Sequence, residues 1–300
     1  RRALLALLPL LLLGSCIEPY APDIIDSPPN LLVVDGFINA DGPTTIRLSR
    51  TAALAAVGQL PPETAARLFV EQENGNSFPL TESELAPGTY TGYASPLDAR
   101  SRYRLRISTA RGQQYASEFV VEKLTPPIET VRWLPADNTA NILVSTRDDT
   151  GDSRYYRWDY DETWEIRSPY QPSIEYADGG IRRIVVPYPI MCWGNRQSTR
   201  IQLSTTTALS QDQVVDFRVQ GLAAEVPELN SRYSILVRQR ALTAEEYAYW
   251  EQLRKNTEAL GTLFDPQPSQ PLGNVRALDA AGTSALGFIG AHSITEKRLF

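Results

Sequence analysis

Residues 232–275, RYSILVRQRALTAEEYAYWEQLRKNTEALGTLFDPQPSQPLGNV, contain the one long helical pattern in a chain of strand-like segments. Tyr233 to Gln239 is typical of a buried strand. Thr243 then begins a helix predicted over 243–260, with Glu246 at the spacing of a capping box. Gly261 is the expected helix stop. One helix face is predicted to be buried because apolar side chains recur at three- and four-residue steps. The residues of this face are Tyr247, Trp250, Leu253, Thr257 and Leu260.

The rest of the chain has the pattern of a mainly β protein. Roughly seven short strands without a helix are typical of an immunoglobulin-like β-sandwich, which we predict over residues 31–124. Thr125-Pro126-Pro127 marks a domain boundary, and a larger β-domain over 128–300 is expected to follow. The predicted fold is therefore two β-sandwich domains of immunoglobulin or fibronectin type, the second with one long amphipathic helix inserted.

Arginine alternates with large apolar side chains along residues 102–107. Arg102, Arg104 and Arg106 therefore share one face of a strand. Such a face can bind phosphate or acidic groups, or it can be solvated and paired with acids of a neighbouring strand. The second interpretation is favoured, with Glu71 and Glu73 as partners.

Aromatic residues share one face of the segment RYYRWDYDETWEI, residues 154–166. They form either a sugar-stacking platform or the core of a sandwich, and the core is favoured because large rings are usually buried. Glu162 lies on the same face and needs a positively charged partner. Arg232 or Arg238 is predicted to supply it.

The first residues have the pattern of an export signal. Residues 1–15 begin with two arginines, and the apolar run from Ala3 to Leu13 is too short to span a bilayer. Leu13-Gly14-Ser15-Cys16 resembles the lipobox of bacterial lipoproteins, which predicts a lipid anchor at Cys16. The alternative is a chance cysteine at the end of a cleaved signal. Residues 16–30 contain four prolines and are predicted to form a stiff tether.

The sequence contains few of the histidine and cysteine residues that catalytic sites commonly use. It contains one histidine, His292, and Cys192 is the only cysteine besides Cys16. Zinc chemistry is excluded, and neither a metal nor a cofactor is expected. Known nucleophile and phosphate-binding motifs are missing, so no enzyme activity is predicted. The net charge of −6 argues against a nucleic-acid partner. Cys192 lies between Met191 and Trp193 and is expected to be buried.

Two proline-containing loops are candidates for contact with a partner, because recognition commonly uses loops held by rigid elements. Tyr170 and Tyr176 lie in the first loop, residues 168–180, and Phe264 lies in the second, residues 261–273. Prolines lower the entropy lost on binding. The alternative for Phe264 is that it packs against the core below the helix.

Several segments together resemble a family of bacterial lipoproteins known as domain of unknown function (DUF) 4249. They are LLVVDGFI (31–38), RYSILVRQ (232–239), YWEQLRKNTEALGTLFDPQPSQPLGNV (249–275) and ALGFIGA (285–291). The resemblance implies an outer-membrane lipoprotein, on either leaflet, that acts beside a TonB-dependent receptor. It implies no catalytic residues.

The expected function is thus that of a lipid-anchored, non-enzymatic accessory or binding protein of an outer-membrane nutrient uptake complex. The alternatives are a structural or assembly factor of the cell envelope and a carbohydrate-active enzyme.

Overall fold

The computed structural model describes residues 30–52, 60–93, 97–98, 100–258, 271, 273–279 and 285–300. These residues are mainly β with one α-helix, as the sequence predicts. The leader, Cys16, most of the tether and Phe264 lie outside the described residues.

Eight N-terminal strands and two short C-terminal strands form one sheet. They are β1 (Leu32–Asn39), β2 (Pro43–Arg50), β3 (Arg67–Gln72), β4 (Ser77–Glu82), β5 (Thr89–Tyr93), β6 (Arg102–Ser108), β7 (Gln114–Ser117), β8 (Val120–Lys123), β18 (Val275–Ala277) and β19 (Ala291–His292). Eight of these strands hydrogen-bond in the order β6-β3-β4-β5-β2-β1-β19-β8. β8 also pairs with β6, which closes the eight strands into a ring. β7 and β18 extend the sheet from β6.

The closed ring differs from the immunoglobulin-like sandwich predicted for residues 31–124. Its inward-facing side chains form a single core that includes Leu48, Tyr90 and Ile107. Closure depends on β19, which pairs in parallel with both β1 and β8. β19 has only two residues, so it is too short to show the alternation of apolar and polar side chains by which strands are predicted from sequence.

The second group of strands forms two further sheets that share a core. They are β9 (Ile128–Ala136), β10 (Thr139–Arg147), β11 (Tyr155–Arg167), β14 (Met191–Gln197), β15 (Gln202–Thr205), β16 (Gln213–Ala223), β17 (Tyr233–Ala241) and β20 (Thr295–Leu299). One sheet has the order β16-β10-β9, and the other has the order β14-β11-β17-β20 with β15 also on β11. Tyr156, Trp158 and Tyr160 lie in the shared core, which confirms the core interpretation for these three rings. Trp164 is half-buried and Ile166 is exposed, so the end of the segment leaves the core.

The predicted boundary at residues 125–127 does not separate the chain into two consecutive units. β18 and β19 belong to the N-terminal ring, whereas β20 returns to the sheet of β17. Residues 128–300 therefore contribute to both units. Hydrogen bonds to β1 hold residues 285–292 against the N-terminal ring before the chain returns to β20. In one of these bonds the Val34 N–H donates to the Leu286 oxygen at 2.8 Å.

The α-helix, α1 (Ala244–Glu258), begins where the sequence predicts. Thr243 Oγ1 accepts a hydrogen bond from the Glu246 N–H at 3.2 Å, which is half of the predicted capping box. The Glu246 carboxylate turns inward instead of reaching back to Thr243, and Glu246 is the buried residue of the helix. Tyr247, Trp250 and Leu253 are half-buried and Thr257 is exposed. The predicted stop at Gly261 lies outside the described residues.

Candidate functional site

The most unusual surface of the molecule lies between β11 and β14. We call residues 166–193 the apolar arm. It contains a separate two-stranded hairpin formed by β12 (Ile174–Ala177) and β13 (Gly180–Arg183). Asp178 and Gly179 connect the strands with φ angles of 51° and 79°. This is the turn geometry that suits a two-residue hairpin, and Asp-Gly is a sequence that favours it.

The apolar arm concentrates exposed hydrophobic side chains. Of the 22 large hydrophobic side chains that are exposed in the described part of the chain, eleven belong to it. They are Ile166, Tyr170, Ile174, Tyr176, Ile181, Val185, Val186, Tyr188, Ile190, Met191 and Trp193. Such a concentration of exposed apolar side chains in one segment is typical of an interaction surface, since soluble surfaces normally carry such residues singly.

The charged groups of the apolar arm largely pair with one another. Arg182 contacts Glu175 at 2.7 Å and Asp178 at 3.2 Å. The Tyr188 hydroxyl donates to Glu175. These hydrogen bonds, first from Tyr188 and then from Arg182, lower the pKa of Glu175. The pair of Glu175 and Arg182 links the two strands of the hairpin, whereas its large apolar side chains are exposed.

The two candidate contact residues that the structure describes both lie on the apolar arm. Tyr170 is 81% exposed and Tyr176 is 76% exposed. The third candidate, Phe264, lies outside the described residues. Sequence reasoning did not identify Val185, Val186 and Ile190 as contact residues, because RRIVVPY (182–188) was predicted to be one more strand. The prolines at 187 and 189 were the available signal, since a central strand does not tolerate them.

The prediction that Cys192 is buried was wrong. It is exposed, and its Sγ lies 3.9 Å from the carbonyl oxygen of Ile166. Its strand, β14, is the edge of its sheet, so Met191 and Trp193 flank it without covering it. Edge strands expose unpaired backbone groups, and this edge adjoins the apolar arm.

The neighbouring strand of the same sheet, β11, carries a buried carboxylate, Glu162. Glu162 accepts hydrogen bonds from Arg196 Nε at 2.7 Å, Gln220 Nε2 at 3.0 Å and the Tyr233 hydroxyl at 2.7 Å. Burial raises the pKa of Glu162, but the hydrogen bonds from Arg196, Gln220 and Tyr233 outweigh burial and lower the pKa below its usual value. Burial and the bond to Glu162 raise the pKa of Tyr233.

The predicted partners of Glu162 were wrong. Arg238 contacts Asp161 and Glu296 at 2.5 and 2.7 Å. Arg232 lies 3.7 Å from Glu165. The actual partner, Arg196, is directly opposite Glu162 in the pairing of β11 with β14.

The predicted arginine face of β6 is confirmed as a solvated, paired surface. Arg104 and Arg106 contact Glu71 at 2.7 and 3.3 Å. Arg102 contacts Glu73 at 3.5 Å. The guanidinium of Arg104 also lies over the ring of Phe119, 4.6 Å from its centroid. These contacts occupy the arginines, so the face has little capacity for an anionic ligand.

His292 is buried and lies 3.5 Å from Glu246. Its ring stacks on Phe37 with the centroids 4.3 Å apart. Within the described residues, no serine, threonine or cysteine side chain is hydrogen-bonded to it, and no cluster of three metal-ligand side chains occurs. This histidine is part of the packing between the helix and the N-terminal ring. Among the same residues, no helix is both long enough and apolar enough to cross a bilayer.

Together these features define a mainly β protein whose most distinctive surface is an exposed apolar arm. A family model described as domain of unknown function (DUF4249) matches residues 17–298, so the chain belongs to that family. A search of curated proteins found no match.

Proposed function

We propose that this protein is a lipid-anchored, non-enzymatic accessory protein of the outer membrane. In this proposal it docks through the apolar arm onto a partner protein, a TonB-dependent receptor of a nutrient uptake complex. The observation that carries the proposal is the concentration of eleven exposed large hydrophobic side chains in residues 166–193. Aromatic and apolar side chains of this kind form the centres of protein interfaces.

The geometry of the apolar arm supports docking rather than catalysis. The hairpin is held by its own ion pairs between Arg182, Glu175 and Asp178. A preformed surface loses less entropy on association than a loose one. The free edge of β14 beside it adds backbone donors and acceptors that a partner strand can use.

The test is co-purification from native outer membranes. We expect the wild-type protein to retain a TonB-dependent receptor. We expect the triple variant Tyr170→Ala/Tyr176→Ala/Val186→Ala to lose most of it with an unchanged melting temperature, because these side chains are exposed. Leu85→Ala is the matched control, since Leu85 is 98% exposed outside the apolar arm. Full receptor recovery with the triple variant contradicts the proposal, as does a loss that accompanies a lower melting temperature.

The lipid anchor is tested separately. The proposed attachment residue is Cys16, within Leu13-Gly14-Ser15-Cys16. Cys16→Ala is expected to move the protein from the membrane fraction to the soluble fraction after a carbonate wash, because the acyl chains supply the membrane affinity. Cys192→Ala is the control. A Cys16→Ala protein that sediments at the wild-type level rejects lipid anchoring.

The proposal extends to the architecture of the second unit. We propose that the sheets β16-β10-β9 and β14-β11-β17-β20 form a sandwich of immunoglobulin type, which presents loops and hairpins at its ends. Their shared core of Ile142, Trp158 and Val237 supports this interpretation.

A further inference from the structure

A second surface of the molecule has the properties of a ligand site, and none of the residues that line it belongs to the apolar arm. It is a cleft of about 620 Å³ between β16, the segment joining β14 to β15, and helix α1. We call it the arginine cleft, because Arg196, Arg200, Arg218 and Arg254 line it. Its volume is in the range of small-molecule sites.

The arginine cleft has a surplus of positive charge. Two carboxylates, Glu228 and Glu258, line it together with four guanidinium groups. The chain as a whole carries a net charge of −6. The positive charge in the cleft is therefore a local feature, and clustered arginines in a concave surface attract anions.

Three of the four guanidinium groups have few hydrogen-bond acceptors among the described residues. Arg200 makes no ion pair or hydrogen bond within the residues that the structure describes. Arg218 donates only to the Asn141 side chain, at 3.4 Å. Arg254 lies 3.9 Å from Glu251, at the limit of an ion pair. These three arginines retain donors for an acceptor that enters the cleft.

The fourth arginine is fixed in position. Arg196 Nε donates to the buried Glu162 at 2.7 Å, and its Nη1 donates to Glu228 at 3.0 Å. The guanidinium lies over Trp164, 5.5 Å from the ring centroid. Its Nη2 has no acceptor among the described residues, so Arg196 presents a preorganised donor at the edge of the cleft.

We propose that the arginine cleft binds a small organic anion through its carboxylate or phosphate oxygens. Planar guanidinium groups bind both kinds of oxyanion in pairs of parallel hydrogen bonds. Ser198, Thr199 and Gln197 also line the cleft and supply neutral hydrogen-bonding groups for the rest of the ligand. This inference does not depend on the apolar arm or on a receptor.

The test is calorimetric titration of the purified full chain with citrate, inorganic pyrophosphate and glucose. Citrate is expected to bind, and its dissociation constant is expected to rise about 5- to 10-fold in Arg200→Ala and in Arg218→Ala. Tighter binding of pyrophosphate than of citrate identifies a phosphate ligand, and the reverse identifies a carboxylate. Tighter binding of glucose than of either anion overturns the proposal.

Two further variants make the test sharper. Glu258 Oε1 accepts a hydrogen bond from the Ile201 N–H at 2.6 Å. Glu258→Gln keeps an acceptor there and removes a negative charge, so it is expected to tighten citrate binding about 3-fold. Arg111→Ala, an exposed arginine in the turn between β6 and β7, is the control and is expected to leave binding unchanged. Equal losses in Arg111→Ala and Arg200→Ala, or no loss in either, reject the site.

Discussion

Glu246 on helix α1 lies 3.5 Å from His292 on β19, and both side chains are almost completely buried. This contact joins helix α1 to the N-terminal ring. The Trp250 Nε1–H donates to the same carboxylate at 3.4 Å. The carboxylate also lies against Gly290, where a Cβ atom would be 2.1 Å from Glu246 Oε2. The Glu246 side chain therefore attaches the helix to the N-terminal ring, while its backbone N–H takes part in the helix cap with Thr243.

We expect Glu246→Ala to lower the free energy of unfolding by about 1–3 kcal/mol, because it removes the acceptor of the Trp250 Nε1–H and the buried contact with His292. Urea denaturation of the full chain measures this. Glu245→Ala is the matched control, since Glu245 is an exposed acid in the same turn, and its effect is expected to stay near 0.5 kcal/mol. Equal effects of the two substitutions would mean that the inward contacts of Glu246 contribute nothing.

Thr243 tests the start of the helix separately. Its Oγ1 accepts the Glu246 N–H at 3.2 Å, so Thr243→Ala is expected to cost about 1 kcal/mol. Thr243→Ser keeps the hydroxyl and should restore most of the loss. Thr257→Ala is the control within the helix, where Thr257 Oγ1 donates only to the Leu253 oxygen at 2.9 Å. An unchanged denaturation midpoint in Thr243→Ala would show that the cap is not stabilising.

Glu162 gives the protein a specific dependence on pH. Its pKa in the folded state lies below its usual value. The carboxylate therefore contributes stability that is fully present above its unfolded pKa of about 4.3 and is lost as the pH falls through the folded value. We expect the stability difference between wild type and Glu162→Gln to be largest at neutral pH and to narrow below about pH 4.

Denaturation midpoints measured from pH 7 to pH 3 test this dependence. Glu73→Gln is the control, because the Glu73 side chain is 52% exposed in its ion pair with Arg102, and its effect is expected to be small at every pH. A wild-type to Glu162→Gln difference that stays constant across the range contradicts the assignment of the Glu162 carboxylate as a buried charge.

Features that depend on local periodicity were predictable from the sequence. Strand β17, predicted from Tyr233 to Gln239, spans Tyr233–Ala241, and the helix begins directly after Thr243. The arginine face of β6 also follows from alternation within one strand. In each case neighbours in sequence determine which side chains share a face.

Features that depend on strand pairing were not predictable. Arg238 is opposite Asp159, and Ile235 is opposite Glu162. Arg238 therefore lies on the face of Asp159 and Asp161, away from Glu162, because side chains alternate along a strand. The partner Arg196 comes from β14, and nothing local indicates that β14 pairs with β11. The apolar arm was found only through its two tyrosines, because its valines resemble those of a core strand.

The C-terminal segment closes the ring through a close backbone approach at Gly287. Gly287 has a φ angle of 129°, and a Cβ atom there would lie 2.0 Å from the Val34 carbonyl oxygen. The segment thus approaches β1 at a distance that excludes a side chain. We expect Gly287→Ala to lower the free energy of unfolding by about 2–4 kcal/mol, because β1 and residues 285–292 must move apart.

Hydrogen exchange locates the effect of this substitution. The amides of Val34 and Ile38 donate to the carbonyl oxygens of Leu286 and Gly290 at 2.8 and 2.9 Å. Both amides are expected to lose protection in Gly287→Ala, whereas amides of β17 stay protected until global unfolding. Gly180→Ala is the control, since no atom lies within 4 Å of the added Cβ at that position. Unchanged protection of Val34 and Ile38 in Gly287→Ala would show that the C-terminal segment does not close the ring.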